Sequence, residues 1–223
     1  MEYTTLNNGV KMPMAGIGTF LLTPDEAENS VLSALKNGYR LVDTANAYVN
    51  EKAVGRAMKK SGVPREQIFL ETKLWPSFYE QADAVEKTLE RLDTDYIDLL
   101  LIHQPAGNYT AGYRQMEAAY KAGKVRAIGL SNFNKEQMEE ILSICEVRPT
   151  VLQTELHPYH QEKELKAFLK ENGVTDLRLQ GNRQSKTAWS RNRGIRWGTA
   201  TRPFWKSRCL QSLARNMANP APK

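Results

Sequence analysis

Four polar side chains, Asp43, Tyr48, Lys73 and His103, fall at or just beyond the ends of apolar, strand-like runs, where a pocket could collect them. Their types suit proton transfer to an oxygen. A tyrosine hydroxyl, with an ordinary pKa near 10, is a poor donor at neutral pH, but an ammonium beside it favours the phenolate and should lower that value. Asp43 would hold and orient Lys73 by a charge-assisted hydrogen bond, and a neutral His103 would position a carbonyl oxygen within reach of the Tyr48 hydroxyl. Singly, each residue has an ordinary explanation. An Asp after a strand caps a helix, a Tyr packs, and a lone Lys or His is surface or satisfied structure; the four together make one coherent device.

Such a device needs elements that deliver its members to one place. After a short apolar run at Ala15–Thr19, strand-like segments rich in β-branched or bulky apolar residues recur at Tyr39–Thr44, Gln67–Leu74, Tyr96–His103, Val125–Ser131 and Thr150–Leu156. Helix candidates alternate with them. Thr23-Pro24-Asp25-Glu26 combines an N-cap, a proline at the first helical position and a capping-box Glu, and Gly38 closes that helix. The others are Glu51–Ser61, Tyr79–Leu92, Ala111–Ala122, Lys135–Ile144 after the cap Asn134, and Gln161–Glu171. Asn7-Asn8-Gly9 marks a hairpin turn ahead of them. Near-continuous apolar runs such as Ile97–Ile102 suit strands buried on both faces, so the alternation predicts a parallel α/β architecture.

Two such architectures compete, the doubly wound open sheet and the eight-unit barrel. A dinucleotide-binding open sheet begins with Gly-x-Gly-x-x-Gly, and Gly16-Ile17-Gly18-Thr19-Phe20-Leu21 lacks the third glycine. In a barrel, the strand ends carrying the four polar residues form the catalytic rim.

The segments Val42-Asp43-Thr44-Ala45-Asn46-Ala47-Tyr48-Val49-Asn50-Glu51, Glu71-Thr72-Lys73-Leu74-Trp75, Asp98–Pro105 with His103 inside it, and Ile128-Gly129-Leu130-Ser131-Asn132-Phe133 resemble, in order and spacing, the successive signatures of the aldo-keto reductases. The resemblance covers roughly residues 4–173. It implies a (β/α)8 barrel that reduces aldehydes or ketones to alcohols with NADPH as hydride donor. It further implies Tyr48 as general acid, Lys73 and Asp43 as its tuning pair and His103 as the group orienting the carbonyl. Ser131, Asn132 and Gln153 would hold the nicotinamide carboxamide, with Gly18, Thr19 and Asp43 also at the cofactor. Phe20, Trp75 and Gln104 would line the substrate pocket; Gln104 stands where many members carry Trp, which bears on substrate choice.

The resemblance ends where the composition changes. Residues 1–173 hold 20 Lys/Arg and 24 Asp/Glu, net −4, whereas residues 174–223 hold 11 Lys/Arg and a single acid, Asp176, net +10. The family's Ser-Pro-Leu-Gly and Ile-Pro-Lys-Ser segments of strands seven and eight are absent from the tail. The sequence thus reads as an incomplete barrel of about six βα units, 1–173, followed by a divergent basic tail, 174–223. Val, Leu, Ile and Phe fill seven of the tail's fifty positions, yet it holds three of the four tryptophans. This composition is what a shifted reading frame yields, and the coding DNA beyond codon 174 is expected to encode the missing signatures in another frame. Two other functions follow from the tail: a reductase homologue impaired for want of a cofactor grip, or a polyanion-binding protein using basic-aromatic runs such as Arg202-Pro203-Phe204-Trp205-Lys206.

The remaining composition, 41% apolar and 25% charged over 223 residues, is that of a globular chain rather than a coiled coil or a disordered one. No apolar run approaches the roughly 18–20 residues of a membrane span. Cys145 and Cys209, far apart and without neighbouring ligands, suggest neither a disulfide framework nor a metal site, so the cytoplasm is the expected compartment.

Overall fold

The computed structural model describes residues 2–156 and 160–180. Cys209 and the basic-aromatic runs of the tail lie outside the described residues. The chain opens with an antiparallel hairpin, β1 (Tyr3–Thr5) and β2 (Lys11–Pro13), turned at the expected Asn-Gly with Gly9 at φ +84°. Seven parallel strands follow in strictly sequential order: β3 (Gly16–Gly18), β4 (Leu41–Asp43), β5 (Phe69–Leu74), β6 (Leu99–Ile102), β7 (Ile128–Ser131), β8 (Val151–Leu156) and β9 (Thr175–Gln180). A doubly wound sheet reverses its strand order at the ligand crevice. This sheet does not reverse, and its architecture is the (β/α)8-type barrel, carried through the seventh strand among the described residues.

That seventh strand is an addition to the six counted from sequence. Thr175-Asp176-Leu177-Arg178-Leu179-Gln180 alternates polar and apolar residues with period two, a strand pattern that survives low overall apolarity. It pairs in parallel with β8 along its whole length, from Val151↔Thr175 to Leu156↔Gln180. Leu177 reaches the interior cluster.

The helices between the strands are α1 (Pro24–Lys36), α2 (Glu51–Ser61), α3 (Ala84–Leu92), α4 (Tyr109–Lys121), α5 (Lys135–Ile144) and α6 (Lys163–Glu171). Capping boxes at Thr23/Glu26 and Asn134/Gln137 start α1 and α5, each worth about 1 kcal/mol. The expected helix from Tyr79 begins instead at Ala84. Tyr79 is fully buried, and its hydroxyl is held between the backbone carbonyl and amide of Gln104, which fixes residues 79–83 as a turn.

Strand parity divides the core. Outward-facing Val42, Leu70, Leu100, Ile102, Ile128, Leu130 and Leu152 are buried beneath the helices. Inward-facing Leu41, Phe69, Leu99, Leu101, Ala127 and Val151 form a second apolar cluster, plugged from below by Leu6 and Met12 of the hairpin. Further along the same inward faces, toward the strand C-termini, the residue types become polar: Asp43, Glu71, Lys73, His103, Ser131 and Gln153, all buried. The lower interior is therefore apolar, and the upper interior collects the buried polar residues. Among the described residues, no helix is long and apolar enough to cross a membrane.

Candidate functional site

The rim is assembled by register. Asp43 ends β4 directly opposite Glu71 of β5, and Lys73, two residues on, shares Glu71's inward face. His103 follows β6, its backbone amide donating to Leu74 O at 2.9 Å. Tyr48 closes a short 3-10 turn, residues 46–48, above β4. Asn50 clamps that loop: buried, it donates to Thr19 O (2.9 Å) and Leu22 O (3.1 Å) and accepts from Thr44 Oγ1 (2.9 Å).

The four residues expected to act together are brought together. Lys73 is fully buried and ion-pairs with Asp43 Oδ1. A second ammonium proton goes to Thr44 O at 3.1 Å, leaving one for the Tyr48 hydroxyl, with the Tyr48 ring centroid 5.5 Å from Lys73 Nζ. His103 stands edge-on to Tyr48 at 5.6 Å between ring centroids and to Trp75 at 5.0 Å. Phe20 covers the other side of Tyr48, at 5.1 Å.

The electrostatics correct one expectation. Lys73 was expected to pull the Tyr48 hydroxyl down; burial instead pushes it up to about 12, because desolvation and the neighbouring Asp43 and Glu71 carboxylates outweigh the lysine's attraction. Tyr48 is therefore held as a phenol. Burial works against the Lys73 ammonium too, but Asp43, Tyr48 and Glu71 together raise its pKa above the ordinary lysine value, so the charge stays. His103 behaves as expected: burial, reinforced by Lys73, lowers it to about 3, and the imidazole is neutral. Its Nδ1 is buried without a hydrogen-bond partner.

The positions expected at a cofactor occupy adjoining strand ends. Ser131 and Gln153 are buried and directly paired across β7 and β8. Asn132 takes the left-handed conformation (φ +64°), and its amide donates to His103 O and Ser131 Oγ, both at 3.1 Å. Gln153 Oε1 is buried with no partner. An orphaned acceptor beside a serine hydroxyl and an asparagine amide fits a carboxamide, which offers both N–H donors and a carbonyl. Gly18 and Thr19 reach the same rim, although the Thr19 hydroxyl is committed to Asp43 O (3.2 Å) and Asn50 Oδ1 (3.3 Å). Phe20 and Trp75 are exposed at the mouth, and Gln104 is anchored there through its backbone to Tyr79.

Three participants escaped the sequence reading. Asn50 ties two rim loops. Asn46 accepts from the Trp75 amide at 3.0 Å while its own Nδ2 is buried and unpartnered. Glu71, wholly buried, accepts from Gln153 Nε2 at 2.6 Å. The available signal was strand parity, since Glu71 lies two residues before Lys73 and so must face the same interior.

The parallel barrel thus carries a Tyr-Lys-Asp-His cluster on its C-terminal rim, and similarity to known proteins gives its family. The profile of the Aldo/keto reductase family matches residues 14–176, and the chain belongs to that family. It is similar to glyoxal reductase of Bacillus subtilis, 46% identical over 174 residues that cover 76% of this chain and 63% of that protein. Morphine 6-dehydrogenase of Pseudomonas putida is 42% identical over 175 residues, covering 76% and 59%. Among solved structures, an aldo-keto reductase from a Medee basin deep-sea metagenome library superposes with a TM-score of 0.75 at 42% identity, covering 78% of this chain and 66% of that one. The chain thus spans less than two thirds of the length of these curated relatives.

Proposed function

We propose that this chain reduces the carbonyl group of a small aldehyde or ketone to the alcohol, with NADPH as the hydride donor and Tyr48 as the proton donor. The observation that carries the reading is the convergence of Tyr48, Lys73, Asp43 and His103 on one rim, with Lys73 ion-paired to Asp43 and centred 5.5 Å from the Tyr48 ring. A nicotinamide held by Ser131, Asn132 and Gln153 would supply the hydride that the carbonyl carbon accepts. Neutral His103 orients the carbonyl oxygen toward Tyr48 without competing as an acid. Tyr48, with a pKa of about 12, keeps its proton at neutral pH, and the alkoxide developing on the substrate is a far stronger base, so transfer runs downhill. Lys73 stabilises the phenolate left behind, and Asp43 fixes the lysine. Ser131, Asn132 and Gln153 hold the carboxamide, Gly18, Thr19 and Asp43 border the ring, and Phe20, Trp75 and Gln104 form the substrate's surroundings.

The test is a fluorescence titration of the full chain with NADPH and NADH, with Tyr48→Phe and Lys73→Met assayed alongside. Saturable binding at micromolar concentrations or below, tighter for NADPH, followed by turnover of an aldehyde such as glyoxal, is expected. A folded chain that binds neither dinucleotide overturns the reading in favour of an impaired homologue.

A further inference from the structure

Glu71 takes no part in the proton transfer proposed above, yet its surroundings are those of a working residue. It is 0% exposed, in the middle of the barrel interior. Asp43 faces it from β4, Lys73 from its own strand, Gln153 from β8, and the apolar Leu99 is its neighbour in β6. Glu71 Oε1 accepts from Gln153 Nε2 at 2.6 Å and lies 3.9 Å from Lys73 Nζ, while Glu71 Oε2 has no partner. Two carboxylates thus compete for one ammonium, and Asp43 holds the direct ion pair. Burial and the Asp43 charge, opposed by Lys73 and the Gln153 bond, push Glu71 up to about 8. At neutral pH the acid is mostly protonated, and its carbonyl oxygen suffices as the acceptor.

A glutamine amide can be turned end for end at little steric cost, so a buried glutamine presents a defined end to a ligand only if its other end is held. Here the holder reaches across the barrel interior from β5 to β8. With Nε2 committed to Glu71, Gln153 Oε1 is left as a pure acceptor, buried and unpartnered. We infer that Glu71 is a positioning residue that fixes the amide of Gln153, committing Gln153 Oε1 to accept an N–H of the nicotinamide carboxamide and so making the site select that group. This rests on the nicotinamide reading above.

The test compares dissociation constants, by intrinsic fluorescence, for NADPH and for its reduced 3-acetylpyridine analogue, in which a methyl replaces the carboxamide NH2. The native chain is expected to prefer NADPH by about tenfold, because the analogue leaves a buried acceptor unpaired. Glu71→Leu and Glu71→Ala, which differ in size and carry no side-chain acceptor for Gln153, should bring the ratio close to one by weakening NADPH while leaving the analogue unchanged. Glu71→Gln supplies a carbonyl acceptor and should keep the native ratio. A folded Leu or Ala variant with the native ratio, or a native chain without preference, overturns the inference and leaves the nicotinamide reading standing. A native chain that binds neither dinucleotide overturns both.

Discussion

The two ends of the barrel treat buried polarity in opposite ways. At the N-terminal end Asp98, 1% exposed, is fully occupied: it accepts from Arg126 Nη1 (2.6 Å) and the Leu70 amide (3.0 Å) and ion-pairs with Arg65 Nη1 (2.9 Å). In the upper interior and at the C-terminal rim Glu71 Oε2, His103 Nδ1, Gln153 Oε1 and Asn46 Nδ2 are buried without partners, and Gln115 Oε1 of α4 is too. Backbone strain leans the same way. Turns leaving α1, α2, α4 and α6 at the bottom place Gly38, Gly62, Gly123 and Gly173 in the left-handed region, where a residue without Cβ costs nothing, while Asp93 takes it after α3 (φ +53°). On the C-terminal side the same region holds Leu21 (φ +62°), Val49 (φ +58°), Asn132 (φ +64°) and Glu162 (φ +44°), alongside Gly107 (φ +61°). Satisfied polarity and relaxed turns prevail at the end that holds the fold; orphaned polar atoms and strained turns prevail at the end proposed to meet a ligand.

Substitutions at the two ends should therefore fail in different currencies. The largest expected effect is at the rim. Tyr48→Phe removes the proposed proton donor and should lower turnover about 10²–10⁴-fold, with dinucleotide affinity and unfolding midpoint close to native; steady-state rates paired with urea denaturation check this. Turnover within tenfold of native would break the contrast. The second effect is at the bottom. Asp98→Ala strands the Leu70 amide and two arginines that are themselves partly solvated, so a loss of about 2–4 kcal/mol is expected. Urea unfolding measures it, and turnover per folded molecule should stay native.

The contrast also explains what the sequence disclosed. Strands β4 to β8 were legible because double burial demands continuous apolar runs, and α1 and α5 because their capping boxes are local chemistry. The true strand ends were shorter than the apolar runs, since Tyr39, Tyr96 and Val125 lie before the regular ladder begins; Ile97 and Val125 meet only as an isolated bridge. The convergence of Asp43, Tyr48, Lys73 and His103 was legible because Asp43, Lys73 and His103 lie at or next to strand ends, where their types are unusual for the apolar run before them, and Tyr48 follows in the loop after β4. Glu71 was hidden for the opposite reason. It lies inside a strand, and its meaning depends on Gln153, 82 residues away. The direction of the Tyr48 shift was hidden too, because it depends on how completely the rim is buried and on a second carboxylate.

A third expectation separates two buried titrating groups by pH. Glu71, raised from 4.5 to about 8, binds its proton more tightly in the folded state, so its contribution is complete below pH 4.5 and is lost as pH rises toward 8. His103, lowered from 6.5 to about 3, does the reverse: its contribution is complete above pH 6.5 and is lost as pH falls toward 3. Each sloping limb amounts to at most about 1.4 kcal/mol per pH unit. Between pH 4.5 and 6.5 the two slopes oppose one another and stability should be nearly flat, with a decline between pH 6.5 and 8 that belongs to Glu71. Thermal unfolding across pH 4–9 should show that decline in the native chain and lose it in Glu71→Gln. A native midpoint that is flat from pH 6.5 to 8 would mean that Glu71 is not the acid held protonated at this rim.

The smallest expected effect bears on strain directly. Val49 is 84% exposed, so its side chain contributes little packing, and a β-branched residue in the left-handed region costs about 1–2 kcal/mol. Glycine removes that cost but adds chain entropy to the unfolded state. Val49→Gly should therefore stabilise the chain by about 0.5–1 kcal/mol, whereas Gly38→Val, at a bottom turn with open space around the position of a Cβ, should destabilise it by about 1–2 kcal/mol. Urea midpoints of the two variants give opposite signs if the rim stores strain that the bottom lacks. Val49 directly follows Tyr48, so a rigid left-handed residue there narrows the arc through which the phenol can move. The more stable Val49→Gly chain should then turn over a few-fold more slowly, the exchange of stability for placement that a strained active rim implies. Equal or faster turnover would show that the strain at this position does not serve Tyr48.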